Sequence, residues 1–191
     1  MNLPNKLTIG RMILIIVFLI IYFLRNTIGE SYVYLLGSIF VIASITDFFD
    51  GYLARKHHLV TTFGKFIDPL ADKLLVITAL FVLHEMYIAS GYEMYWMPFW
   101  VVLLIVVREL LVTSIRLVAV GDGLVIAASK LGKYKTFTTM TMITYYFFVM
   151  PLESTWVEYI GIFLVALSVL FTVISGLDYL LKNKKIILKS I

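Results

Sequence analysis

Six apolar stretches, at residues 11–24, 32–53, 66–88, 96–120, 134–150 and 156–181, follow one another with only short breaks between them. A helix needs roughly 20 residues to cross about 30 Å of hydrocarbon. Most of the stretches reach that length, and the first needs its flanks. The runs are continuous and do not alternate, which argues against a transmembrane β-barrel. Turn and polar residues fill the breaks at 26–31, 57–64, 90–93, 121–123 and 151–155. Composition agrees. Of 191 residues, 61% are apolar and 15% charged, against about 45–50% and 25% in soluble domains. A chain this short cannot hide that much apolar surface from water. These numbers argue against a cytosolic enzyme and a disordered chain, and the lack of cysteine against a secreted disulfide scaffold. The expected architecture is an all-α integral membrane protein, a bundle of six transmembrane helices. It forms one domain over residues 1–191, with an interfacial segment at 1–10 and a basic tail at 182–191.

Charge sets the orientation. With the N-terminus inside, the cytoplasmic side receives Lys6, Arg11, Arg55, Lys56, Lys65, Lys130, Lys133, Lys135, Lys182, Lys184, Lys185 and Lys189, and the outside keeps Arg25. This is a positive-inside pattern. It predicts a multi-pass protein of the cell membrane with both termini and its polar face on the cytoplasmic side. The first apolar stretch lacks a small-residue cleavage site, so it reads as a retained helix. The net charge of +4 is explained by topology and by attraction to membrane lipid head groups. No basic face projects from a soluble module, so nucleic acid is not an expected partner.

The acids inside the apolar stretches carry the chemistry, since intramembrane carboxylates are costly and default to function. Asp47 and Asp50 are three apart, and Asp68 and Asp72 four apart, so each pair shares a helical face. Asp47 lies about 24 Å along its helix from Ser31, and Asp68 and Asp72 lie about 5–11 Å beyond Lys65, at 1.5 Å per residue. Two antiparallel helices bring all four to one level near the cytoplasmic leaflet. A like-charged pair at 4 Å costs on the order of 4 kcal/mol at an effective dielectric of 20. Oxygen-only ligands favour Mg²⁺, Mn²⁺ or Ca²⁺, and two divalent ions balance four carboxylates. Two-metal sites serve phosphoryl transfer. Two other readings are pairing of the acids with Arg55, Lys65 and Lys73, and a proton or cation pathway.

In full the segment reads Asp47-x2-Asp50-Gly51-x2-Ala54-Arg55-x8-Gly64-x3-Asp68-x3-Asp72. It resembles the signature of the CDP-alcohol phosphatidyltransferase family, with every specified position and gap present. The resemblance implies a six-helix membrane fold and displacement of CMP from a CDP-linked lipid by an alcohol. It implies that Asp47, Asp50, Asp68 and Asp72 hold two divalent cations, Mg²⁺ or Mn²⁺. It makes Asp72 the general base, and Gly51, Ala54, Arg55 and Gly64 the shapers of the cytidine diphosphate site. A homodimer is also implied.

The run Asn2-Leu3-Pro4-Asn5-Lys6-Leu7-Thr8-x2-Arg11, the run 66–73, and Arg108-Glu109-Leu110 followed by Ser114-Ile115-Arg116 are similar to bacterial family members that accept glycerol 3-phosphate. Other branches, which use phosphatidylglycerol or inositol phosphate, have related segments. Expected substrates are therefore CDP-diacylglycerol and glycerol 3-phosphate. Asn5, Thr8 and Arg11 are candidates for contact with the nucleotide, and Lys6 and Arg11 equally for anchoring lipid head groups. A phosphate dianion needs cations beside the aspartates. Arg108 lies roughly 18 Å into a helix entered from outside, inside the span. Arg116 should reach the cytoplasmic interface, with Lys130, Lys133 and Lys135 at the same level. Arginine gives bidentate phosphate contacts and lysine a point charge. Arg108, Arg116, Lys133 and Lys135 are the expected acceptor-phosphate pocket. The alternative is an internal Arg108–Glu109 pair with lysines that only set topology. A small transporter would place its acids near the midplane, often with broken helices.

His57 and His58 read as solvated loop residues. Gly161 and Gly176 suit close helix packing, and Asp178 with Lys182 suits a surface ion pair.

Overall fold

The structure, a computed structural model, describes residues 3–56, 62–91, 95–121, 126, 129–152 and 154–189. The side chains of residues 3–8, 47–56, 62–70, 72, 118, 120, 121 and 185–189 lie outside that description. The elements are α1 (Leu3–Phe23), a one-turn α2 (Arg25–Ile28), α3 (Tyr32–Lys56), α4 (Thr62–Ala89), α5 (Phe99–Gly121), α6 (Lys130–Phe148), a 3-10 turn (Met150–Leu152) and α7 (Thr155–Lys189). No strand occurs among the described residues. The long helices fall on the six apolar stretches.

At both ends the helices run beyond the apolar stretches. Residues 3–10 are the start of α1, which runs unbroken from Leu3. Pro4 sits in its first turn, where a missing N–H breaks no helical hydrogen bond. At the other end α7 carries its helix past 182 to Lys189. Among the described residues one stretch, Thr155–Lys184, is both long and apolar enough to cross a membrane, and Ile9–Phe23 and Tyr32–Thr46 are shorter apolar helices. In α5 the apolar run is interrupted by Arg108, Glu109 and Arg116.

The helices close into a ring. α1 packs on α3 and α4, α3 on α6, α6 on α7, α7 on α5, and α5 on α4. α4 also touches α3 and α6, so it has neighbours on most sides. Aromatic rings lock three helices together: Phe147 of α6 meets Phe18 of α1 edge-on at 5.8 Å and Phe40 of α3 at 6.4 Å. Leu80 and Leu83 of α4, Ile105 of α5 and Ile143 of α6 are fully buried beside them. The outside is apolar too, with Phe23 73%, Phe163 63% and Ile16 57% exposed. A rim of this kind suits hydrocarbon and would be an association hazard in water.

One end of the bundle is pinned by the segment 95–97, where Tyr95 adopts a positive φ of 56°. The Tyr146 hydroxyl donates to the Trp96 carbonyl at 2.9 Å, and the His84 Nδ1–H donates to the Met97 carbonyl at 2.8 Å. The polar site lies at the opposite end.

Gly37 is where α3 and α6 come closest. A Cβ there would stand 2.8 Å from the Phe147 Cβ and 2.8 Å from the Phe148 ring. Among the described residues, Gly10 of α1 has nothing within 4 Å of the same position. Gly37→Ala should lower unfolding free energy by about 1–3 kcal/mol through overpacking. Gly10→Ala should be neutral or stabilising by up to about 1 kcal/mol, as for a helical glycine. Thermal unfolding of the two variants in one detergent checks the difference.

Candidate active site

The first half of α4, the second half of α5, the start of α6 and the second half of α7 meet at one end of the bundle. Asp47, Asp50, Gly51, Ala54 and Arg55 lie on the last turns of α3, and Gly64, Asp68 and Asp72 on the first turns of α4. α3 and α4 pack together, and the positions recur at three- or four-residue intervals, one stripe on each helix. The side chains of these residues, and of Asn5 and Thr8 on α1, are outside the described set. Among the described residues no group of three or more His, Cys, Asp or Glu gathers to hold a metal ion. Arg11 is buried in the bundle, 1% exposed, which turns it away from lipid head groups.

The described part of the site is built around Glu109. Its Oε2 lies 2.9 Å from Lys73 Nζ of α4. Its Oε1 lies 3.1 Å from Arg108 Nη1 and 2.5 Å from Lys135 Nζ of α6. Three cations from three helices therefore share one carboxylate. Two cations about 5 Å apart repel by roughly 3 kcal/mol at an effective dielectric near 20. The carboxylate between them is what allows the gathering.

Arg108 is held from the other side by Ser175 of α7, whose Oγ accepts from Nη2 at 3.0 Å. Small residues give it passage. A Cβ at Gly176 would stand 3.3 Å from Arg108 Cγ, and one at Gly132 would stand 3.7 Å from Nη2. Close packing at Gly161 has the same character, with Met150 Sδ 3.1 Å from the Cβ position.

Beside this cluster is a cavity of about 570 Å³, lined among others by Lys73, Arg108, Glu109, Arg116, Lys133 and Tyr179. Arg116 stacks over the Tyr179 ring at 5.7 Å. Among the described residues, Arg116 Nε and the Tyr179 hydroxyl are buried with no hydrogen-bond partner. Ser129 caps α6, its Oγ accepting from Gly132 N–H at 3.0 Å, and both residues face the cavity. The positive end of α6 thus opens here. The first turn of α6 has no acid, and Lys130, Lys133 and Lys135 crowd its first two turns, against the preference of a helix start for negative charge. A helix start lined with cations is suited to an anion.

The structure brings Arg108, Arg116 and Lys133 together on the cavity. Lys135 is turned behind Glu109, 2% exposed, and faces a pocket of only about 40 Å³ on the other side. Sequence reasoning missed Glu109 as the centre, along with Ser129, Ser175 and Tyr179. One signal was present. Ser168, Thr172, Ser175 and Tyr179 form a helical stripe of polar residues along the otherwise apolar α7. Asp178 and Lys182 pair at 2.7 Å, away from the site.

The chain has known relatives over nearly its whole length. The family model described as CDP-alcohol phosphatidyltransferase matches residues 1–174. A CDP-diacylglycerol–glycerol-3-phosphate 3-phosphatidyltransferase of Bacillus subtilis is 43% identical over 192 residues, covering 95% of this chain and 95% of the relative. A probable phosphatidylglycerophosphate synthase of Mycobacterium tuberculosis is 40% identical over 178 residues, covering 93% of this chain and 79% of the relative. A CDP-diacylglycerol–glycerol-3-phosphate 3-phosphatidyltransferase of Rickettsia felis is 35% identical over 190 residues and 96% of each chain.

The Ser129 cap gives a test that needs no substrate. Ser129→Ala should cost about 1 kcal/mol of stability, while Ser129→Asp, which caps equally well, should retain it. Unfolding of the detergent-solubilised variants checks both.

Proposed function

The chain belongs to the CDP-alcohol phosphatidyltransferase family, and on that premise we propose that it transfers the phosphatidyl group of CDP-diacylglycerol to sn-glycerol 3-phosphate. The products are phosphatidylglycerophosphate and CMP. The observation that carries the acceptor assignment is the cavity in which Lys73, Arg108, Arg116 and Lys133 face one carboxylate, Glu109. A phosphate-bearing acceptor matches that charge, and a neutral alcohol does not. The names of the relatives favour glycerol 3-phosphate over an inositol phosphate.

Asp47, Asp50, Asp68 and Asp72 would hold two divalent cations, Mg²⁺ or Mn²⁺. The donor set fits, since four carboxylates offer only oxygen ligands and enough negative charge for two such ions. When bound, these ions make the diphosphate electrophilic and stabilise the departing CMP. The chain's own groups do the rest. Asn5, Thr8, Arg11, Gly51, Ala54, Arg55 and Gly64 form the site for the cytidine diphosphate group. Arg108, Arg116 and Lys133 grip the acceptor phosphate, and Lys135 adds its charge from behind Glu109. So held, the free hydroxyl of glycerol 3-phosphate points at the diphosphate. Asp72 removes its proton as the new O–P bond forms and the P–O bond to CMP breaks.

In this reading the long helices are six membrane spans of one catalytic domain over 1–191. The site and both termini lie on the cytoplasmic side of a bacterial cell membrane. The lipid's chains stay in hydrocarbon while its cytidine reaches water. The functional unit is a homodimer.

Purified protein with CDP-diacylglycerol and Mg²⁺ should release CMP with glycerol 3-phosphate in strong preference to phosphatidylglycerol, serine or inositol 1-phosphate. Release should stop with Asp72→Asn or on chelation, and return in the chelated wild type when Mg²⁺ is restored. Preference for another acceptor would overturn the assignment. Arg116→Gln should raise the KM for glycerol 3-phosphate about tenfold to a hundredfold, the loss of roughly 1.5–3 kcal/mol from a charged hydrogen bond. The KM for CDP-diacylglycerol should stay unchanged, and initial rates against each substrate check both.

A further inference from the structure

We infer that Glu109 is a positioning residue for the acceptor: it arranges the cations that grip the phosphate and joins them to the helix that carries the base. The inference rests on the acceptor reading of the cavity and on Asp72 as the base, both proposed above. A carboxylate kept only to neutralise one buried cation needs one partner. Glu109 has three, from α4, α5 and α6, and both its oxygens are occupied. Its value therefore lies in where it puts those cations. Lys135, only 3% exposed along its side chain, has Glu109 as its partner and cannot reach the large cavity. Arg108 is fixed at two points, by Glu109 and by Ser175, and is confined beside Gly132 and Gly176.

Lys73 provides the second link. It directly follows Asp72 in the chain. Its 2.9 Å pair with Glu109 ties α4 to α5 one residue beyond the proposed base. The rotational setting of α4 at Asp72 and the placement of Arg108 then depend on the same carboxylate. Glu109 touches the acceptor in neither case and acts through its neighbours.

A positioning role and a simple counter-charge role predict opposite signs. Removing a mere counter-charge leaves a more positive cavity, which should bind an anion more tightly. Removing a positioning residue lets the cations separate and weakens binding. With full-length enzyme in nanodiscs, Glu109→Gln should raise the KM for glycerol 3-phosphate about tenfold, or about 1.4 kcal/mol, with the KM for CDP-diacylglycerol unchanged. A lowered or unchanged acceptor KM overturns the inference, as does an equal loss with both substrates, which marks a structural role.

If Glu109→Gln does not fold, Lys73→Gln decides, since Arg108 and Lys135 still compensate the carboxylate. It should raise the acceptor KM selectively, and an unchanged value overturns the inference. Arg116→Gln, which leaves the Glu109 cluster intact, separates the two claims. A raised acceptor KM in Arg116→Gln alone leaves the cavity assignment standing and removes the role of Glu109. Unchanged acceptor KM in both variants removes the cavity assignment as well.

Discussion

A single carboxylate inside an apolar bundle holds the polar end of this protein together. Isolated charges are excluded from such an interior by the cost of desolvation. Glu109 and the cations around it escape that cost by sharing one site. Removing any one member leaves a buried charge undercompensated or like charges facing each other. The cluster also ties α4, α5 and α6 together where none of them can rely on apolar packing alone. Among its described lining residues the cavity beside it carries more positive than negative charge, which suits an anion.

The packing elsewhere makes this possible. Glycines at 37 and 161 let α3, α6 and α7 approach closely. Association in lipid depends on such close contact, because lipid tails are as apolar as the helices themselves. Gly176 serves a different purpose, leaving room for the stem of Arg108. The aromatic contacts of Phe147 with Phe18 and Phe40 stiffen the middle of the bundle. The end near Tyr95 is closed by hydrogen bonds from Tyr146 and His84. A rigid frame of this kind lets side chains at the far end hold fixed positions.

Much of the fold was legible because hydrophobic run length is a one-dimensional signal. Among the described residues each run falls on a long helix. The helix ends were harder to read, since a polar residue can continue a helix as readily as end it. Thus α1 starts at Leu3 and α7 continues past Lys182. The aspartate motif is a reading of spacing and of resemblance, and its side chains lie outside the described residues. Counting residues puts Arg116 and Lys133 at one level and Arg108 inside the span, and only the packing gathers all three on one cavity. The partner of Lys135 could not be found by counting. Its turn toward Glu109 depends on the rotational phase of α6 against α5, which only packing decides. The threefold use of Glu109 was hidden for the same reason, because residues 73, 109 and 135 have no sequence relation to one another.

The central claim is that the cavity between α5, α6 and α7 receives the acceptor's phosphate. A structure of the protein with glycerol 3-phosphate bound tests it most directly. The phosphate should lie within hydrogen-bond distance of Arg108, Arg116 and Lys133, beside the start of α6. A phosphate lodged away from all three, with this cavity unchanged, would contradict the account.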